Sequence, residues 1–253
     1  MTDKPAPGIE RNMSGTVAGA GRKKKSGRMP SRRRDLFEIF IPYALIFGVI
    51  WTPRPIQKWL WILAAAVIII ITIVSWPGLD AMGIRRKNFI RSFWIIPAAM
   101  AAATIAVAVA GHLKTLYLHG GPLWLFENYW LYAIWACTQQ FLLQSFFMVR
   151  FLRVLPRPWM AALAAAVLFS MAHVPSYILV PAALCWGFGA CLLFVRYRNL
   201  YTIAVAHAIL GIMIAITIPG TVDHNMRVGI GYLNYNPRIH YRHHLWMRRS
   251  PEP

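Results

Sequence analysis

Apolar positions run in seven long blocks along the chain, near residues 36–51, 57–76, 92–112, 128–149, 158–174, 177–195 and 200–218, and short polar runs separate them. Within each block the apolar residues are continuous. Barrel strands would alternate apolar and polar positions, so the pattern predicts helices. A bilayer core takes about 20 apolar helical residues, within a range of about 17–25. The first and fifth blocks are short by that measure, which predicts tilted helices, half-helices or helices extended by flanking residues. The expected fold is all-α, a polytopic transmembrane bundle of about seven or eight membrane helices. Runs of alanine at 64–66, 98–103 and 161–166 predict close helix contacts through small side chains.

Composition narrows the class. Of 253 residues, 58% are hydrophobic and only 14% charged, against roughly 25% charged in soluble domains. A soluble globule, a collagen, a coiled coil and a disulfide scaffold are all excluded. Cys137, Cys185 and Cys191 each lie in an apolar run and predict no disulfide framework.

Charge gives orientation. Lys and Arg number 27 against 8 Asp and Glu. Ten of the basic residues fall in residues 1–34, which hold almost no large apolar side chain and are expected to be disordered and cytoplasmic. With that tail inside, 19 basic residues face the cytoplasm and 8 face outward, so the positive-inside rule predicts a cytoplasmic N-terminus in the cell (inner) membrane. Five arginines after residue 220 favour an eighth crossing or a re-entrant segment. Three regions are expected: a basic tail at 1–34, a membrane domain at 35–219 and a basic tail with several histidines at 220–253. The N-terminal tail suits anionic lipid headgroups better than nucleic acid, and the C-terminal tail, whose arginines repel cations, reads as solvated rather than metal-binding. No small-residue cleavage site follows a short apolar run, so no secretory signal is expected.

Polar side chains at membrane depth are costly unless paired, which makes them the candidates for chemistry. Three places carry them. The fourth block holds Gln139, Gln140 and Gln144, the fifth ends in Phe169 and His173, and the seventh contains His207, approached from Asn199. Read singly, such residues serve equally well as hydrogen bonds between helices.

Taken in order, they resemble the three motifs of the CPBP family of intramembrane proteases, which includes the prenyl-protein (CAAX) endopeptidases and bacteriocin-immunity relatives. The family pattern is Glu-Glu-x-x-x-Arg, then Phe-x-x-x-His, then a His followed four positions later by Asn or Asp. Phe169 and His173 match the second motif and His207 the third, within a core of about 127–215. The resemblance implies cleavage of membrane-associated or prenylated peptides, with Gln139, Gln140, His173 and His207 at the catalytic positions and Gln144, Phe169 and Gly211 in support. In the family the Glu pair and the two His are thought to activate a water.

Here the Glu pair is Gln139-Gln140, the Arg is Gln144 and the Asn or Asp is Gly211. A carboxamide has no basic site for a proton, and general-base help is worth about 10²–10⁴ in rate. Reduced or absent peptidase activity is therefore expected, with a non-catalytic scaffold or peptide-binding protein as the alternative and an active hydrolase as another. Glu127 lies twelve residues before Gln139, about 18 Å along a helix, and Glu38 sits at the far end of the first block; neither is expected to substitute. Two histidines fall short of the three protein ligands of a catalytic zinc, so no metal and no cofactor are expected. Cys137, sharing a helical face with Gln140 and Gln144, is a lesser nucleophile candidate.

Overall fold

The computed structural model describes residues 32–118 and 120–236, and all regular structure among them is helical. The predicted basic tails fall largely outside the described residues. Arg32, Arg33 and Arg34 are within them and form the first turn of α1 (Arg32–Trp51).

Six further long helical elements follow. They are α2 (Ile56–Val74), α3 and α4 (Phe89–Ser92 and Ile95–His112), a continuous rod of α5 (Pro122–Gln140), a π-helical stretch (Phe141–Met148) and α6 (Val149–Val154), then α7 (Pro158–Met171), α8 (Leu179–Tyr197) and α9 (Leu200–Thr217). Four of them, Ile56–Val74, Phe89–His112, Leu179–Tyr197 and Leu200–Thr217, are long and apolar enough to cross a membrane. α7 is apolar but has 14 residues, about 21 Å of helix against a hydrocarbon core of about 30 Å. No eighth apolar helix follows α9 among the described residues. Two short turns of helix, α10 (Gly220–Asp223) and α11 (Gly229–Leu233), fold back over the bundle instead. Part of the region read as a tail is thus packed structure: Asp223 and Gly229 are both buried.

α2 and α4 present their large side chains outward, with Trp59, Ile70, Ile73 and Ile105 all more than half exposed. In water such faces would drive aggregation; in a bilayer they meet lipid. α9 is the most enclosed of the four spans and packs against α4 and α5. The alanines of α7 at 161, 162, 165 and 166 are fully buried, and they let α8 approach α7 closely. Four apolar spans with outward-facing large side chains make this a polytopic helical membrane protein.

Two clusters fix the ends of the rods. At one end Asp35 and Glu38, one helical turn apart on α1, meet Arg153 and Arg150, one turn apart on α6, at 3.3 and 2.9 Å. Arg150 also lies over the Phe146 ring at 3.8 Å and donates to the Phe146 carbonyl. The carboxylates occupy the N-terminal turns of α1, where the helix dipole favours negative charge.

At the same end, Asn199 caps α9 by accepting from the Thr202 N–H, while its amide donates to the Arg85 carbonyl. This anchors the start of α9 to the 75–88 loop. Gly83 in that loop has φ +73°, and a Cβ there would lie 2.5 Å from the Phe194 ring. Only glycine fits both the turn and the contact.

Candidate functional site

His207 lies eight residues beyond the Asn199 cap, about 12 Å up α9, on the helix face turned toward α5. There Gln140 meets it: the Gln140 Nε2 amide and His207 Nδ1 are hydrogen-bonded. Gln144 continues the chain, donating from Nε2 to Gln140 Oε1 at 3.3 Å. Gln140 and Gln144 are fully buried. Their alignment depends on the rod changing from α to π geometry just after Gln140, which widens the turn and re-aims the side chains that follow.

Gln139 points elsewhere. It is half-buried and lines the large cavity of about 2270 Å³ that opens between α1, α2, α5, α7 and α9. Adjacent residues of one motif therefore take different roles, one facing the cavity and one the histidine. Cys137 is exposed, beside Thr138 and Phe141. This corrects the expectation of a shared face with Gln140 and Gln144, which are both buried: Cys137 lies about 60° from Gln140 on a 3.6-residue helix, and the π-helical stretch that begins at Phe141 breaks the α spacing between Cys137 and Gln144.

His173 comes from the loop after α7. That helix ends early, and the chain turns with His173 N–H donating to the Ser170 carbonyl. The ring Nδ1 hydrogen-bonds the Phe169 carbonyl at 2.7 Å. The loop is held from both sides: Ser176 Oγ accepts from the Leu179 N–H at the start of α8, and the Gly229 N–H of α11 donates to the Val174 carbonyl.

Phe169 ties the two histidines together. Its ring stands edge-on to His173 at 4.8 Å and to His207 at 5.7 Å between centroids. It can lie so deep because Gly187 of α8 faces it; a Cβ there would be 3.2 Å from the ring. Trp186 adds a third edge-on contact to His207 at 6.0 Å, and its buried indole N–H has no partner among the described residues. Both histidines line the same cavity as Gln139 and Gly211.

Gly211, one turn beyond His207, leaves its side-chain space to Tyr132 of α5. The cavity also holds a carboxylate that the sequence reading passed over. Asp223 is 1% exposed and lines the cavity, with Oδ1 accepting from the Asn225 N–H and Oδ2 unpartnered among the described residues. Burial raises its carboxyl above the usual value, partly offset by backbone N–H groups and His224. It sits on α10 at the cavity's mouth with Lys114, Arg54 and Tyr235. Glu127 is exposed and Glu38 is engaged with Arg34 and Arg150, so both lie apart from the histidines. Among the described residues no three His, Cys, Asp or Glu side chains cluster so as to hold a metal ion.

What the geometry assembles is a neutral polar patch at the base of a wide, largely apolar cavity: amides and imidazoles, with no carboxylate hydrogen-bonded to either ring. Comparison with known proteins points the same way as the motifs. Residues 121–213 match the model of the Rce1-like family, described as type II CAAX prenyl endopeptidase, and the match supports a CPBP-family intramembrane protease. No curated protein and no solved structure matches the chain.

Proposed function

We propose, from the CPBP-family character of residues 121–213, that this CAAX-protease-like membrane protein receives a membrane-associated peptide, of the prenylated class, in its cavity and cleaves it slowly or not at all. Gln139, Gln140, His173 and His207 would stand at the family's catalytic positions, with Gln144, Phe169 and Gly211 supporting them. The observation that carries the reading is the hydrogen bond between Gln140 and His207. At this point an ionised carboxylate would accept a proton and an amide does not. Size supports the ligand class: the cavity is far above the roughly 300–1,000 Å³ of ordinary small-molecule pockets, and Trp61, Ile68, Leu142 and Ala165 offer it an apolar wall for a long hydrocarbon group.

The test is cleavage and binding of a farnesylated CAAX peptide by purified wild type, the Gln139→Glu/Gln140→Glu variant and His173→Ala. Binding without turnover in wild type, and a gain of about 10²–10⁴ in rate on restoring the carboxylates, is the expected result. Robust wild-type cleavage that His173→Ala abolishes would sink the impaired-enzyme reading.

The basic asymmetry supports a cytoplasmic N-terminus in the cell membrane, with anionic lipid at the basic tail. On that orientation the mouth formed by 52–55, 113–118 and 218–235 faces outward. In a cysteine-free background, Lys114→Cys should react with an impermeant maleimide on intact cells and Lys87→Cys should not; the opposite pattern reverses the orientation.

A further inference from the structure

Lys and Arg are unevenly spread between the two ends of the bundle. Among the described residues the end opposite the Asn199 cap carries Arg54, Lys58, Lys114 and Arg227, and all but Lys58 line the cavity. The three come from separate segments: Arg54 from the turn between α1 and α2, Lys114 from the chain after α4, and Arg227 from the link between α10 and α11. The fold draws those segments together. A Cβ on Gly229 would meet the Ile50 backbone, and the Tyr117 N–H donates to the Ile216 carbonyl near the end of α9 at 2.7 Å.

These cations meet little negative charge. Arg54 and Lys114 form no salt bridge among the described residues. Asp223 is the one carboxylate among the described residues that line the cavity, and it is paired with neither: Oδ1 takes the Asn225 N–H, and Oδ2 has no partner among the described residues. Arg227 lies over the Tyr235 ring at 5.6 Å, which holds it at the rim. The mouth is therefore net positive. Lys114 has φ +59°, a left-handed conformation that glycine adopts freely and lysine does not. A strained position that carries a long cation points to a use for the cation.

Height matters as well. Tyr117, in the same loop as Lys114, stands edge-on to Trp124 at 6.4 Å, and such aromatic residues belong at the headgroup level of a bilayer. Deeper in, the wall at Trp61, Ile68 and Leu142 is apolar.

We propose that the cavity takes a membrane lipid with a phosphate headgroup, the phosphate held at the mouth by Arg54, Lys114 and Arg227 and a hydrocarbon chain laid along the apolar wall. Phosphate suits donors that arrive from three segments, because its oxygens point in several directions while a carboxylate has two in one plane. A lipid suits the site because its phosphate already stands at the level of the aromatic residues, with its chains beneath. His207 lies ten residues before the end of α9, about 15 Å along the helix, so the headgroup site is separate from the Gln140–His207 contact and does not depend on the peptide-binding reading.

The experiment is native mass spectrometry of the full chain in a neutral detergent, titrated with dioleoyl phosphatidic acid. Dioleoylglycerol, oleate and inorganic phosphate are the comparison probes. One phosphatidic acid per chain should be retained, dioleoylglycerol and oleate should bind at least about 10-fold more weakly, and equimolar inorganic phosphate should displace nothing. Lys114→Gly relieves the backbone, so its thermal midpoint should equal or exceed that of wild type while phosphatidic acid binds about 5-fold more weakly. Arg54→Gln should do the same to binding, and the two together should cost about 25-fold. Lys58→Gln, at the same end but outside the cavity, should bind as wild type does. Dioleoylglycerol or oleate bound as tightly as phosphatidic acid overturns the choice of phosphate, and displacement by inorganic phosphate overturns the lipid. Affinity unchanged in Lys114→Gly and Arg54→Gln, or lowered equally in Lys58→Gln, overturns the site.

Discussion

A Cβ on Gly211 would lie 1.8 Å from the Tyr132 hydroxyl oxygen and 2.6 Å from the carbon that bears it. The phenol of α5 fills the volume that a side chain on α9 would need. The pair is a size exchange between facing helices, one turn from His207. On the proposed reading, the place of the family's Asn or Asp is taken here by a hydroxyl reaching in from the neighbouring helix.

It follows that Gly211→Asn alone should be poorly tolerated. Overpacking of this kind costs about 1–3 kcal/mol, read as a lower thermal midpoint in detergent. Tyr132→Ala should cost stability by leaving a void, and the double variant should recover part of both losses. A double-mutant cycle with no coupling would show that Tyr132 moves aside freely.

The sequence pattern placed the seven apolar blocks within a few residues of seven helical elements, because lipid-facing helices must be apolar along their length. Their ends were less legible. α1 begins at Arg32 rather than near 36 since its polar first turns are held by Arg150 and Arg153, partners 112 and 118 residues away. The π-helical stretch is invisible to hydropathy, yet it sets where Gln144 points. The fifth block reads as apolar to 174, yet the helix stops at Met171 and His173 lies in the turn that follows. Asp223 escaped notice because its neighbours are polar and basic, and only the folding of α10 and α11 over the cavity buries it.

The Glu38–Arg150 pair is the most enclosed ion pair among the described residues, with side chains 9% and 2% exposed. Removing one partner strands the other. Glu38→Ala should therefore destabilise the fold by about 3–5 kcal/mol. Arg34→Ala, at a side chain 46% exposed, should cost about 1 kcal/mol or less. Pairing Glu38→Gln with Arg150→Met should be milder than Glu38→Ala, since no buried charge is left alone. Thermal melts of the four proteins in one detergent give the order, and equal losses for Arg34→Ala and Glu38→Ala would contradict it.

Asp223 makes the cap over the cavity sensitive to pH. Its carboxyl is raised by burial, so the folded cap holds the proton more tightly than the unfolded segment does. The stabilising contribution is full below the ordinary carboxylate range and is lost as pH climbs through the raised value. Amide protection in 220–235, corrected for intrinsic exchange, should fall from acid toward neutral pH. Asp223→Asn should flatten the profile and protect the cap at neutral pH. A slope that survives in Asp223→Asn would show that Asp223 is not its source.

α11 supports the loop that carries His173 from the side away from α8. Gly229 has φ +53°, and a Cβ on it would sit 2.3 Å from both Cγ2 and the carbonyl oxygen of Ile50. Backbone conformation and the contact with α1 both require glycine. The same residue's N–H donates to the Val174 carbonyl at 2.8 Å, next to His173. Gly229→Ala should lift α11 away from α1, break that hydrogen bond and loosen the 172–178 loop. His207, held by Gln140 on the opposite side, should stay in place. The expected result is faster hydrogen exchange in 172–178 and several-fold weaker binding of a farnesylated peptide, with exchange in α9 unchanged. Exchange and binding equal to wild type would mean that Ser176 and the Phe169 carbonyl hold His173 in place by themselves.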